Sequence, residues 1–342
     1  MGKFNFAQLV EQEVKFDDGL EGKKILIYGD NDGGKTYQAC HFPYPLLIMT
    51  ESGGSAVNCP KYDCTERFST FKEIVEDVCK NVDKYRDPSE DNKARLQTII
   101  IDTAENLVKL SEKAICNEFN VRDLSEITGK QNGYNLARND FQLQINKLTS
   151  KGYTVVFIAH EERVNSAGDK DGEKDFIQPH GTSNEKSSMR LLRNLVDFCI
   201  YTKVNGVDEN FKTIPSTAIC KRTKNIFARS RFDIETIVNP FTAENIIKAI
   251  KDAVKKSAEN EGATIGVTES AAPKTKEDYF ELIKPYVQRL LPICGDELNQ
   301  ICEEEFKVAG KKITQATDDD IVALDNIYNR FVTKAILLGI EV

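Results

Sequence analysis

The sequence predicts an α/β fold, a mainly parallel sheet covered by helices on both faces, followed by a small all-helical module. Three observations predict it. Up to residue 254, short and nearly continuous apolar runs alternate with stretches of helical periodicity, as strands buried on both faces require. A glycine-rich turn joins the first apolar run to the first helical stretch. Residues 255–280 are rich in Ser, Thr, Ala, Gly and Glu, and their composition reads as a flexible linker.

Strands are expected at residues 24–28 (KILIY), 45–49 (PLLIM), 98–101 (TIII) and 154–159 (TVVFIA), with helices at 35–40, 70–85, 104–117 and 134–150 between them. Strand and helix in alternation imply parallel neighbours joined by crossover helices. Residues 197–204, 216–222 and 232–238 are more strand-like and suit antiparallel strands added at the sheet edge, closed by a helix over 242–254. Beyond the linker, Tyr279, Leu282, Ile283, Tyr286, Leu290 and Leu291, then Ile301 and Phe306, then Ile321, Leu324, Ile327, Phe331 and Ile336 repeat at helical spacing. That periodicity predicts about three helices. The expected organisation is a core at 1–255, a linker at 256–275 and a module at 276–342.

Composition sets outer bounds. Hydrophobic residues at 40% and charged residues at 29% are the values of a soluble globular chain and exclude disorder as the main state. No stretch has the roughly 18 apolar residues a membrane span needs, and the start MGKFNFAQLV lacks the basic-then-apolar order of a secretory signal. A cytoplasmic protein is expected, and the nine cysteines, odd in number and without a CxxC pair, fit reduced thiols. Cys59 and Cys64 near His41 are too sparse for a zinc site built from two close pairs. The net charge of -8 argues against a phosphate-rich partner until its distribution is considered. Residues 257–342 hold 16 acids and 9 bases, and the remainder 38 acids and 37 bases, so the acidity belongs to the tail.

The strongest motif is Gly29, Asp30, Asn31, Asp32, Gly33, Gly34, Lys35, Thr36, a full GxxxxGK[ST] between a strand and a helix. Glycines let backbone N–H groups curl around phosphates, the lysine reaches the β and γ oxygens, and the Thr hydroxyl ligates Mg²⁺. ATP and Mg²⁺ are the expected ligands, with Gly29 to Thr36 and the following Tyr37 forming the nucleotide site. Asp102 ends the strand LQTIIID and is the expected second metal residue, although an Asp there also suits a helix N-cap. Hydrolysis needs a carboxylate to orient or deprotonate water. Glu51 in the turn MTESGG is preferred over Glu105, which lies in a helix's first turn, where an acid complements the dipole. His160, ending TVVFIAH, is placed to read the γ-phosphate.

In this order, GDNDGGKT, MTESGG, IIIDT, VVFIAHEE and CKRTKNIFARSRF resemble the phage RecA-like ATPases of the Sak type, over roughly residues 20–255. The resemblance implies a RecA-like P-loop NTPase core that oligomerises, as ring or filament, with nucleotide between subunits and single-stranded DNA in inner loops. It also implies action in single-strand annealing and recombination. The implied DNA loops fall at about 122–138 and 163–188, with Lys130, Tyr134, Arg138, Arg163 and Phe176 as candidate DNA contacts able to track phosphates or stack bases. The second loop has nearly balanced charge and also reads as a solvated insertion. Lys221, Arg222, Lys224, Arg229 and Arg231 form an acid-free basic run from which Lys224 and Arg229 are the candidates to reach a neighbour's γ-phosphate. DNA contact or a solvated strand edge accounts for that run equally.

The spacing of Lys35 and Glu51, 16 residues, is shorter than in the longer bacterial recombinases. The acidic module suits a partner's basic surface, a single-strand-binding protein among them, or competition with DNA for the chain's own basic patches. The expected function is an ATP-dependent single-stranded-DNA-binding recombinase or annealing protein. Its rivals are a nucleotide-clamped DNA scaffold with little turnover and a small-molecule P-loop kinase with a closing lid.

Overall fold

A computed structural model of the chain describes residues 19–51, 57–89, 91–128, 132–165, 175–261, 276–308, 310–317, 320–338 and 340. Contacts place the described residues in two compact units, one within Gln12–Thr268 and one within Glu269–Val342.

In the first unit the strands are β1 (Lys24–Gly29), β2 (Pro45–Met49), β3 (Lys61–Asp63), β4 (Thr98–Asp102) and β5 (Thr154–Ala159). A hairpin of β6 (Glu161–Asn165) and β7 (Asp175–Pro179) follows, then β8 (Phe198–Lys203), β9 (Thr217–Ile219), β10 (Arg229–Ser230) and β11 (Ile237–Val238). The main sheet runs β11-β9-β8-β1-β5-β4-β2-β3, with β10 also paired to β8. From β8 to β3 every pairing is parallel, so these strands all end at one edge of the sheet. Open parallel sheets bind their ligands at that edge.

The continuous apolar runs are explained by burial on both faces. Leu26, Tyr28, Ile99, Ile101, Val155 and Phe157 enter one core cluster, while Ile25, Ile27, Ile100, Val156 and Ile158 enter another. Successive residues of a strand point to opposite faces, so both faces need a cover. Helices α1 (Lys35–Ala39), α2 (Phe68–Lys80), α3 (Val82–Tyr85), α4 (Ala104–Glu118), α5 (Gly133–Ser150), α6 (Ser188–Leu195) and α7 (Ala243–Glu261) supply it. Phe71, Leu107, Phe141 and Leu192 cover the first face, and Ala39, Ile246 and Ile250 the second.

Three elements depart from the sequence reading. Residues 198–203 were expected to be antiparallel, but β8 pairs parallel with β1, and the antiparallel strands begin with β9, β10 and β11. The apolar run FCIY is the cause, since β8 is a central strand, with its first five residues buried. The short strand β3 is exposed along its whole length and carries no apolar run to announce it. Residues 163–188, read as a loop, contain the last three residues of β6 and the whole of β7, which pair with each other.

In the second unit, α8 (Lys276–Phe306) and α9 (Ile321–Leu337) pack Tyr279, Ile283, Leu290, Leu298, Leu324, Ile327 and Phe331 together. Helix α8 contains Pro285 and Pro292 and leaves helical geometry at Cys294 (φ -146, ψ 43). Proline removes a helical hydrogen bond and crowds the preceding turn. Helix α8 is thus two stretches, and among the described residues a 3-10 turn at Ile313–Gln315 precedes α9. The part of the expected linker past residue 261 lies outside the described residues.

Candidate nucleotide site

The glycine-rich turn leaves β1 and enters α1 directly. Gly29 has φ +153, and a Cβ there would lie 2.4 Å from both the carbonyl oxygen and Oγ1 of Thr202 on β8. Gly34, the N-cap of α1, has φ +73, a left-handed geometry that favours glycine. These two positions explain why the turn is written with glycine.

Lys35 is only 7% exposed, and its Nζ donates to the carbonyls of Gly29 at 2.9 Å and Asp30 at 2.6 Å. Burial pulls the ammonium below the ordinary lysine range, and Asp102, Asp30 and Glu105 oppose that pull. Gly33 is buried, while Asp30, Asn31, Asp32 and Tyr37 are exposed; the Tyr37 ring lies 4.4 Å from the ring of His41.

Thr36 Oγ1 donates to Asp102 Oδ2 at 2.7 Å. Asp102 sits at the end of β4 and Thr36 in the first turn of α1, with β5 between their strands. Burial raises the Asp102 carboxyl above its usual range despite the Thr36 hydroxyl and Lys35, which favour the charged form. A hydroxyl and a carboxylate side by side are the hard oxygen donors that Mg²⁺ takes. With a buried lysine and glycine backbone adjacent, the donor set fits a Mg²⁺-nucleotide.

The remaining strand ends bring three more side chains to the same edge. Glu51 follows β2, and its Oε2 accepts from Asn106 Nδ2 at 2.9 Å. His160 follows β5. Glu105, in the first turn of α4, is 5% exposed, and its Oε1 accepts from the His160 backbone N–H at 3.1 Å and pairs with His160 Nδ1 at 2.6 Å. Glu105 Oε2 is buried without a hydrogen-bond partner among the described residues. Reading Glu105 as an acid that merely complements the helix dipole is therefore corrected: it is bound to His160. The only sequence signal for this was its spacing from Asp102.

The basic run is largely engaged within the chain. Lys221 pairs with Asp233 at 2.7 Å and Arg231 with Asp197 at 3.3 Å, Arg222 lies 5.1 Å over the Phe176 ring, and Arg229 Nη1 donates to Asn194 O at 2.7 Å. Of the two candidates to reach a neighbour, Arg229 is held within its own chain, while Lys224 is exposed.

The candidate DNA residues divide. Tyr134 and Arg138 are not in a loop but in α5, whose N-cap Asn132 accepts from Tyr134 N and Asn135 N. Lys186 lies 5.4 Å over the Tyr134 ring, and Arg138 donates to Glu185 O, so both meet the segment after β7. In the hairpin, Arg163 pairs with Ile177 and Val164 with Phe176. Cross-strand partners share a face and neighbours alternate, so Arg163 and Phe176 project to opposite faces. Lys130 lies outside the described residues.

Sequence reasoning did not find the anchors of this hairpin. The half-buried Glu162 accepts from Gln178 Nε2 at 2.7 Å, Gly181 N at 2.9 Å and Ser183 N at 2.8 Å. Tyr28, one residue before the glycine-rich turn, donates to the carbonyls of Ile177 and Phe227. A buried Tyr in an apolar strand gives no signal until its partners are seen.

Comparison with known proteins agrees with this geometry. Residues 21–232 match the family described as AAA domain. Over 248 residues the chain is 35% identical to the SPbeta prophage-derived uncharacterized protein YorG of Bacillus subtilis (strain 168), covering 71% of this chain and 70% of that one. No helix among the described residues is long and apolar enough to cross a membrane. With its glycine-rich turn, buried lysine and Thr36–Asp102 pair at the ends of parallel strands, the chain belongs to the AAA domain family of P-loop NTPases.

Proposed function

We propose that the chain is a phage-encoded ATPase that binds single-stranded DNA as a homo-oligomer and promotes annealing or strand exchange. Lys35 and the turn backbone hold the phosphates, Thr36 and Asp102 hold Mg²⁺, Glu51 orients the attacking water and His160 faces the γ-phosphate. Bound Mg²⁺ neutralises phosphate charge. The prophage origin of YorG supports the phage setting, and the resemblance to Sak-type ATPases supports the DNA partner.

The observation that carries the DNA half is continuity. His160 follows the strand beside the phosphate turn, and the next residue begins β6 of the hairpin. The hairpin in turn holds the basic run: Ile177 N donates to Asn225 O and Phe227 N to Ile177 O, both at 2.8 Å. Bound phosphate and bound DNA thus share one short stretch of backbone. A kinase lid needs no such link to a cationic surface.

ATP hydrolysis by wild type and Glu51→Ala, with and without single-stranded DNA at low and moderate salt, tests the reading. DNA stimulation that weakens with salt and disappears in Glu51→Ala is expected. Turnover near background in both proteins, with or without DNA, points instead to a nucleotide-clamped scaffold. DNA-independent transfer of phosphate to a small acceptor points to a kinase.

A further inference from the structure

Glu105 stands outside the roles just assigned, yet it is the most buried carboxylate at the nucleotide edge. It is 5% exposed, one of its oxygens engages both the backbone N–H and Nδ1 of His160, and the other oxygen is buried without a partner among the described residues. A helix-dipole acid is satisfied from water and has no need of either feature.

We propose that Glu105 is a positioning residue for ATP hydrolysis, fixing the His160 imidazole as its Nδ1–H tautomer so that Nε2 is the nitrogen presented to the phosphate side. The proposal rests on the ATPase reading. Its logic follows from ring chemistry. A carboxylate oxygen can only accept, so a neutral imidazole 2.6 Å away must place its proton on Nδ1, leaving Nε2 as an acceptor for a water proton. The simultaneous bond to the His160 backbone N–H holds the same carboxylate against the main chain at the end of β5, which restricts the ring to one orientation. A carboxylate that orients a functional histidine in this way acts through the ring it holds.

The geometry also explains the placement of the acid. Only Thr103 and Ala104 separate Asp102, the last residue of β4, from Glu105, so the first turn of α4 carries the acid over to the end of the neighbouring strand, β5. The motif aspartate and the positioning glutamate therefore come from one short segment but serve different partners, Thr36 and His160.

The chain has three histidines, His41, His160 and His180, so the test is spectroscopically simple. The full chain, labelled with ¹⁵N-histidine, is examined at pH 8 by long-range ¹H–¹⁵N correlation, with His160→Asn identifying the signal. In parallel, kcat and KM for MgATP are measured for wild type, Glu105→Gln, Glu105→Ala, His160→Ala, the Glu105→Ala/His160→Ala double variant and Lys35→Ala as background. The expected wild-type signal is the Nδ1–H tautomer, kept in Glu105→Gln, whose amide oxygen still accepts, and lost in Glu105→Ala. Glu105→Ala should lower kcat about 10- to 100-fold with KM changed less than about threefold, Glu105→Gln should recover most of kcat, and the double variant should be no slower than His160→Ala.

An Nε2–H tautomer in wild type, an unchanged kcat in Glu105→Ala, or additive losses in the double variant overturns the proposal. Wild-type turnover no higher than that of Lys35→Ala would defeat the ATPase reading itself, and the tautomer would then separately decide whether Glu105 sets the ring.

Discussion

Thr36 Oγ1 and Asp102 Oδ2 are 2.7 Å apart, although 66 residues and an intervening strand separate them in the fold. Their strands are not neighbours. β5 lies between β1 and β4, so the pair spans the tip of β5 and places the proposed metal donors close to His160. The site is therefore assembled from three strands whose relative register is fixed by parallel pairing.

Asp102→Asn should separate stability from activity. Burial raises the Asp102 carboxyl, so the folded chain without a cation disfavours its ionised form. The amide keeps an acceptor for Thr36 and removes the charge. Thermal unfolding in EDTA is expected to rise by about 1–3 °C, while Mg²⁺-dependent ATP hydrolysis falls at least about 100-fold. A lower melting temperature in EDTA would contradict this account.

Gly29→Ala should fail at the turn rather than in the core. Its added methyl meets two Thr202 oxygens at 2.4 Å, one of them backbone, which cannot swing aside. Titration with a fluorescent ATP analogue should show affinity reduced at least about tenfold. The companion Thr202→Ala removes only one of the two obstacles, so the double variant should recover little.

Tyr28→Phe tests the tie between the nucleotide strand and the hairpin. The hydroxyl serves two carbonyls, those of Ile177 and Phe227, and its loss costs about 1 kcal/mol. Because the Tyr28 hydroxyl bonds Ile177 and Phe227 rather than Thr36, Asp102 or His160, DNA-free turnover should remain within about twofold of wild type while DNA stimulation declines. Equal loss of both in a turnover assay would show that the tie merely supports the fold.

Arg222→Ala and Phe176→Ala probe the cationic face of the hairpin. The guanidinium lies 5.1 Å over the Phe176 ring, and an aromatic–arginine pair offers one stacking surface and one charge to a nucleotide strand. Fluorescence anisotropy with labelled oligothymidylate should show affinity lowered about 5- to 20-fold by Phe176→Ala. Arg222→Ala should in addition flatten the salt dependence by about one ion. Arg163→Ala, on the opposite face, should change affinity less.

The legible parts of the chain were those where one physical requirement governs a whole segment. The strands at 45–49 and 154–159 have the bounds expected of them, because sheet burial on both faces leaves an unbroken apolar run. The turn from Gly29 to Thr36 was legible because its backbone geometry demands glycine and its chemistry demands Lys and Thr. The pairing of β6 with β7 was not, since EERVN and DFIQP mix charge with apolar residues and owe their strand geometry to each other and to Glu162. Nor was the Glu105–His160 contact legible. It joins residues 55 apart, and only the adjacency of β4 and β5 brings them together.

The base of the hairpin is pinned on both legs: β6 starts next to His160, and His180 N, just past β7, donates to His160 O at 2.9 Å. Ile177, in the middle of β7, is tied as well, to Tyr28 on the strand that enters the phosphate turn and to Asn225 and Phe227 beside the basic run. The hairpin, that strand and the segment 225–227 are thus fastened to one another at two levels, and a shift of any one must carry the others or break these bonds.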